Sequence, residues 1–271
     1  MEKIKNYILL TSQGNGLLDK CKIAVIAPLH RIRDMSNCTC NMYIKNSLGL
    51  FFCKSWRDLG AYDFYREKDL NPYFYVKPGE VFIDVGANLG RYSLIVANRC
   101  EDCEVFAVEP DTNLFPMFEK NLKLNNVENK VKFVDKVAYY KKTKKKMFLN
   151  KENPAKNTIY KDEIMGDLKY KDVNMKGKKT VKKIGESFFE TITLDELKEE
   201  ASGRISLIKL DIQGAELDAL NGAKDILSSD KPNIIFEAWD ESFLNKIENF
   251  LGDFGYKVEG IDENNYLAYC E

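Results

Sequence analysis

Four short apolar runs in this chain each meet a carboxylate at or just beyond the carboxyl end. Val81-Phe82-Ile83-Asp84-Val85 holds its acid inside the run, Val105-Phe106-Ala107-Val108 stops at Glu109-Pro110, Ile205 to Leu210 stops at Asp211, and residues 233–236 stop at Glu237. Runs of this length with no polar alternation are what a parallel strand buried on both faces requires. Between them lie stretches with helical spacing: Tyr92, Leu94, Ile95 and Ala97; Leu114, Phe118 and Leu122; and one helix through Leu217, Leu220 and Ile226. A third strand is predicted over 131–139. A last helix over Phe243, Leu244, Ile247 and Leu251 precedes strands at 257–261 and 266–270, whose polar turn is too short for a parallel crossover and makes them an antiparallel pair. The fold class is α/β: a Rossmann-like, doubly wound, mostly parallel sheet ending in an antiparallel hairpin, with an N-terminal extension.

Such sheets bind ligands beyond the carboxyl ends of their strands, which directs attention to the four acids and to the loop Gly86-Ala87-Asn88-Leu89-Gly90. Gly86 and Gly90 permit a sharp turn and close approach of a ligand to the backbone. The loop is not the G-x-G-x-x-G of dinucleotide binding, and Asp84 before it would repel a pyrophosphate. An acid there suits a cationic, amine-bearing ligand such as the amino acid end of S-adenosylmethionine (SAM). Glu109, 25 residues on, can accept hydrogen bonds from two ribose hydroxyls. Asp135, or its neighbours Lys136 and Val137, would flank the adenine.

Five ordered blocks carry a family resemblance: Phe82 to Gly90; Val108-Glu109-Pro110; Asn121-Leu122-Lys123-Leu124-Asn125-Asn126; Thr193-Leu194-Asp195; and Ile208-Lys209-Leu210-Asp211-Ile212-Gln213-Gly214-Ala215-Glu216. Together they resemble the FkbM family of SAM-dependent methyltransferases over about residues 80 to 255. The resemblance implies a class I methyltransferase fold, SAM as donor with S-adenosylhomocysteine as product, and O-methylation of a hydroxyl on a sugar or natural product. Where Gln213 stands, the family often carries Glu, so an ionised side chain is missing at that position. The expected cofactor contacts are Asp84, Gly86, Ala87, Asn88, Gly90, Glu109, Asp135, Val137 and Asp211. For catalysis Asp211 is expected as base or organiser of the methyl site and Glu237 as a substrate-binding group or alternative base. Lys209 stands two residues before Asp211 on the same strand face.

The net charge of -1 over 271 residues hides an uneven distribution. Residues 130–183 hold 18 lysines against six acids, a local excess of +12, which leaves about -13 on the rest. The average argues against a general nucleic-acid binder, whereas the lysine-rich insert, about 140–183, could recruit an anionic acceptor or could be a solvated loop. Residues 1–77 show no dominant periodicity and are read as an N-terminal lobe of uncertain fold, a candidate substrate lid, ahead of a methyltransferase domain over 78–271. No apolar run reaches the roughly 20 residues of a membrane span. Seven cysteines, an odd and irregularly spaced set, suit a reducing cytoplasm. Cys100-Glu101-Asp102-Cys103 and Cys38-Thr39-Cys40 lack the paired spacing of structural zinc, so no metal is expected. Asn71-Pro72-Tyr73-Phe74 lacks the second proline of the loop by which amino methyltransferases hold bases, and reads as a turn entering the domain. His30, the single histidine, lies outside the motif region. Against an O-methyltransferase acting on a small molecule or glycan stand two rivals, an RNA methyltransferase using the insert and a non-catalytic SAM-binding protein.

Overall fold

The computed structural model describes residues 8–11, 42–54, 58, 61–62, 68–150, 154–160 and 184–271. The apolar run at 23–27, His30, Cys38, Cys40 and the second lysine run at 176–183 lie outside the described residues.

Its centre is a seven-stranded sheet. Strands β4 (Val81–Val85), β5 (Glu104–Val108), β6 (Val131–Val134), β10 (Ile205–Leu210) and β11 (Asn233–Glu237) are parallel, and β12 (Lys257–Gly260) and β13 (Asn265–Tyr269) complete it in the order β12-β13-β11-β10-β4-β5-β6. Only β13 runs against the rest, pairing antiparallel with both β11 and β12. Both faces are covered, as the unbroken apolar strands require. Phe82, Val105, Ala107 and Leu207 point toward α1 (Arg91–Arg99) and α2 (Phe115–Asn125), while Ile83, Phe106, Ile208 and Phe236 face α3 (Leu194–Glu200), α4 (Glu216–Asn221), α5 (Lys224–Ser229) and α6 (Glu241–Gly252). Helix α3 opens with a capping box in which the Thr193 hydroxyl and the Glu196 carboxylate each accept the other's backbone N–H. Asp240 caps α6 by accepting the Phe243 N–H at 2.9 Å.

Two expectations are corrected. The third strand does not run to residue 139. It ends at Val134, opposite the last residue of β5, Val108, because beyond that pair it has no partner. The chain turns at Asp135-Lys136, and Val137–Ala138 becomes β7, which leaves the main sheet to pair with β9 (Ile184–Ile192). The helix expected through Leu217 and Ile226 is two helices, α4 and α5, broken at Gly222. There the backbone of Tyr139 packs so closely that a Cβ would collide with its carbonyl, and the Gly222 carbonyl accepts the Asp195 N–H at 2.9 Å. Asp195 in turn accepts the N–H groups of Asp225 and Ile226 at the start of α5.

The described part of the insert is a small sheet in the order β7-β9-β8, with β8 at Lys144–Asn150, followed by a 3-10 turn at Pro154–Lys156 and an isolated bridge between Phe148 and Thr158. On the opposite side, β1 (Ile8–Thr11), β2 (Met42–Asn46) and β3 (Gly49–Cys53) form a third sheet. Asn121 of α2, fully buried, accepts the Phe52 N–H at 2.6 Å and donates to the Phe52 carbonyl and the Tyr62 hydroxyl, while Asn125 does the same for Leu50. These residues share one core with α1 and α2. Asn71–Tyr73 is a 3-10 turn, and Phe74 after it stacks on Tyr92.

Candidate active site

At the carboxyl ends of β4, β5 and β10 a cleft of about 610 Å³, including its open mouth, lies between the sheet and the insert. Its floor is Val85, Gly86, Asn88, Val108, Glu109 and Asp211. Two glycines shape the first loop. A Cβ on Gly86 (φ +81°) would collide with the Asp211 carbonyl, and one on Gly90 (φ +78°) would enter the Phe118 ring. Asn88 also sits in the left-handed region, at φ +50°, which aims its N–H at Glu109.

Glu109 is buried, yet each of its oxygens accepts one backbone N–H, from Asn88 at 3.0 Å and from Asp111 at 2.9 Å. Burial dominates these bonds and pushes its carboxyl up to about 7. A carboxylate accepts at about four lone-pair sites, so half of its capacity remains toward the cleft it lines.

Asp84 is buried below the cleft. One oxygen accepts both the Ser93 N–H (2.9 Å) and the Ser93 hydroxyl (2.6 Å), tying β4 to α1, and burial carries its carboxyl to about 6. Lys209 is paired with Asp84 in the β4–β10 register and is itself buried, donating to the Leu210 carbonyl at 3.3 Å and to Asn265 Oδ1 at 3.4 Å. It lies beneath the site as a counter-charge to Asp84 and Glu216. Glu216 accepts the Ile212 N–H through one oxygen, leaves the other without a hydrogen-bond partner, and is pushed up to about 7 by burial.

Adjacent strand ends bring Asp211 and Glu237 together through a third residue. The Gln213 side-chain amide donates to Asp211 Oδ1 at 3.2 Å and to Glu237 Oε2 at 3.3 Å. The loop that carries it is sharply bent, with Gln213 at φ +52° and Gly214 at φ +93°.

A family model, the methyltransferase FkbM domain, matches residues 84–258. The chain belongs to the FkbM methyltransferase family. Two curated relatives agree with that membership: methyltransferase sdnD of Sordaria araneosa is 27% identical over 199 residues, covering 67% of this chain and 75% of its own length, and methyltransferase 1 of Beauveria bassiana (strain ARSEF 2860) is 25% identical, covering 72% and 75%. Among solved structures, methyltransferase FkbM from Methylobacillus flagellatus KT is 16% identical at a TM-score of 0.49; the match covers 77% of this chain and 47%, about half, of that one. M. jannaschii TYW2 in complex with AdoMet is 12% identical at a TM-score of 0.44, covering 86% and 85%. The strand order described above, with its one reversed strand, is the mostly parallel, Rossmann-like arrangement ending in an antiparallel hairpin that the sequence leads one to expect.

In this FkbM methyltransferase the expected site residues fall into three groups. Gly86, Asn88, Glu109, Val137 and Asp211 line the cleft, with Lys136 beside them. Asp84, Ala87, Gly90 and Lys209 are buried around or below it and shape the loop from behind. Asp135, exposed, and Glu237, half-buried, stand outside the lining. Among the described residues, nothing N-terminal to Val85 contributes to the wall. The roof comes from the insert: Met147, Pro154, Ala155, Asn157, Thr158 and Ile159. Sequence reasoning missed these and the bridging role of Gln213. A signal was present, since Pro154 and Asn157-Thr158 interrupt the lysine pattern, and a chain leaving β6 at the sheet's carboxyl edge must cross the ligand-binding edge to reach α3. Among the described lysines, Lys142 pairs with Glu196, Lys146 with Glu186 at 2.6 Å, and Lys145 sits over the Tyr139 ring at 4.2 Å. Cys100 and Cys103 are buried, and burial raises the Cys103 thiol to about 12. No described helix is long and apolar enough to cross a membrane.

Proposed function

We propose that the chain binds SAM in the cleft and transfers its methyl group to a hydroxyl of a saccharide, glycolipid or natural-product acceptor entering beside Asp211 and Glu237. The observation that carries this reading is the placement of two chemically different ends on one sheet edge: a buried carboxylate with spare acceptor capacity at Glu109, and a Gln213-bridged pair of carboxylates two and three strands away. The cleft lining fits an adenosine: Glu109 for the ribose hydroxyls, Val137 and Ala138 with Pro110 as apolar walls for the base, and a loop at Gly86 with no side chain in the way.

When bound, SAM supplies a methyl carbon already activated by a sulfonium, so the work left to the protein is orientation, exclusion of water and management of one proton. Asp211 or Glu237 would accept the proton as the acceptor hydroxyl oxygen bonds to the methyl carbon and the sulfur–carbon bond breaks, with S-adenosylhomocysteine as the leaving group, a contribution of about 10²–10⁴-fold for a general base. Gln213 donates to both carboxylates and holds them toward one point.

Parallel titrations with SAM and NAD test the cofactor; methyl transfer from labelled SAM to panels of glycan, lipid-glycan and RNA acceptors tests the substrate class. Asp211→Asn and Glu237→Gln are expected to retain SAM binding and lose turnover. Unchanged turnover in both sinks the assignment of the base, a product methylated on a nucleobase nitrogen overturns the acceptor class, and SAM binding without transfer to any acceptor favours a binding protein.

A further inference from the structure

The segment 154–160 does more than roof the cleft. Its backbone is fixed to β8 at one point, where Phe148 and Thr158 exchange both N–H···O bonds, at 2.8 and 3.2 Å. With the backbone held there, the Thr158 side chain is buried and its hydroxyl donates to the Gln213 carbonyl at 2.9 Å while accepting the Tyr160 N–H at 3.1 Å. Two residues on, the Tyr160 hydroxyl is bonded to Asp218 of α4, a second tether to the same region. Gln213 is a non-glycine residue in the left-handed region, a conformation that persists where surrounding contacts enforce it. Its carbonyl is held by Thr158 and its side chain lies between Asp211 and Glu237, so backbone support and side-chain aim belong to one residue.

We propose that Thr158 is a positioning residue for methyl transfer: its hydroxyl holds the Gln213 backbone and thereby places the Gln213 amide between Asp211 and Glu237. The insert then links the two ends of the site, lining the cofactor cleft through Pro154, Asn157 and Ile159 while setting the geometry of the acceptor end through Thr158. This rests on the reading of Asp211 and Glu237 as the acceptor end.

The deciding readout needs no acceptor. In the full chain, the Gln213 side-chain NH₂ and the backbone amides of 213–216 are followed by ¹H–¹⁵N NMR and hydrogen exchange in wild type, Thr158→Ser and Thr158→Val. Thr158→Val is expected to speed exchange of these groups about tenfold or more and to shift the Gln213 NH₂ signals, with Thr158→Ser matching wild type. Should Thr158→Val not fold, Thr158→Ala, which keeps the backbone bridge to Phe148, is read in the same way. On the acceptor found by the screen, loss of the hydroxyl is expected to lower kcat about tenfold with KM for SAM within about twofold, and Thr158→Ser to restore it. Unchanged Gln213 signals and exchange, or a serine variant as impaired as the valine one, overturns the proposal. A wild-type chain that binds no SAM, or full turnover in Asp211→Asn and Glu237→Gln, defeats the underlying reading instead, and those results are obtained independently of the Thr158 variants.

Discussion

Replacing Glu109 by Gln should change how stability depends on pH, and in a direction opposite to that of an ordinary surface acid. In the folded chain the carboxyl sits at about 7, against 4.5 when solvated, because burial opposes its charged form more than the Asn88 and Asp111 N–H groups support it. Between those two values the native state holds a proton that the unfolded state has lost, so stability falls as pH rises from about 4.5 to about 7. At 1.36 kcal/mol per pH unit the fall is about 3 kcal/mol. Glutamine never ionises and removes that slope, but its NH₂ meets one of the two backbone N–H groups where an oxygen accepted it, at a cost of about 1–3 kcal/mol at every pH. The variant is therefore expected to be less stable than wild type at pH 5 and as stable or more so at pH 8 without cofactor, the difference between the two curves closing by about 3 kcal/mol. Urea unfolding at half-unit steps of pH measures it. Two parallel curves would refute the argument, since they would mean that Glu109 keeps an ordinary pKa and that its burial costs nothing. The same carboxylate gives the cofactor reading a pH signature. Ribose hydroxyls donate best to the ionised form, so SAM affinity in wild type is expected to strengthen as pH rises through about 7, and in Glu109→Gln to be weak and flat.

Three other perturbations test the frame around the site. Gly90→Ala places a methyl in the Phe118 ring and an L-residue at φ +78°, and is expected to cost about 2–4 kcal/mol in chemical unfolding. Asn121→Ala leaves the Phe52 N–H and carbonyl without their partner in a buried position, a loss of about 2–4 kcal/mol, read by unfolding and by faster exchange of the β2–β3 amides. Ser93→Ala removes the 2.6 Å bond to Asp84 but keeps the backbone one; a cost of about 1.5–3 kcal/mol is expected at pH 8, where Asp84 is charged, shrinking toward pH 5 as the carboxyl takes up a proton below about 6.

What could be read from the sequence follows from which residues act locally. The strand-loop-helix of Val81 to Arg99 was legible because a buried parallel strand leaves an unbroken apolar run and a tight loop leaves glycines, both properties of contiguous residues. Glu109 was legible for the same reason, as the acid at the next strand end. The end of β6 was not: Val137 and Ala138 are as strand-like as Val134, and only the length of the neighbouring β5 decides that pairing stops at Val134. Nor was the β2–β3 hairpin, because Phe51, Phe52 and Cys53 are all buried and the alternation that marks a hairpin with one wet face is absent.

Asp84 shows how a residue can stand out in a sequence while its contacts stay hidden. An acid before a glycine loop is visible in the sequence, but its hydrogen-bond partner, Ser93 nine positions on, and the Lys209 charge across the sheet are set by helix packing and strand register. The consequence reaches the site itself. Asp84 and Lys209 are both buried beneath the floor, so the carboxylates at the proposed acceptor end are Asp211 and Glu237, and the group that joins those two is an uncharged amide. A glutamate in place of Gln213 would bring a third carboxylate to within about 3 Å of the other two, an arrangement in which like charges cannot all remain ionised at neutral pH. Gln213→Glu is therefore expected to add an uptake of about one proton near the acceptor end and to move the pH optimum of turnover upward, as more alkaline conditions become necessary to free a base. A pH–rate profile superimposable on that of wild type would remove Gln213 from the group that controls the proton.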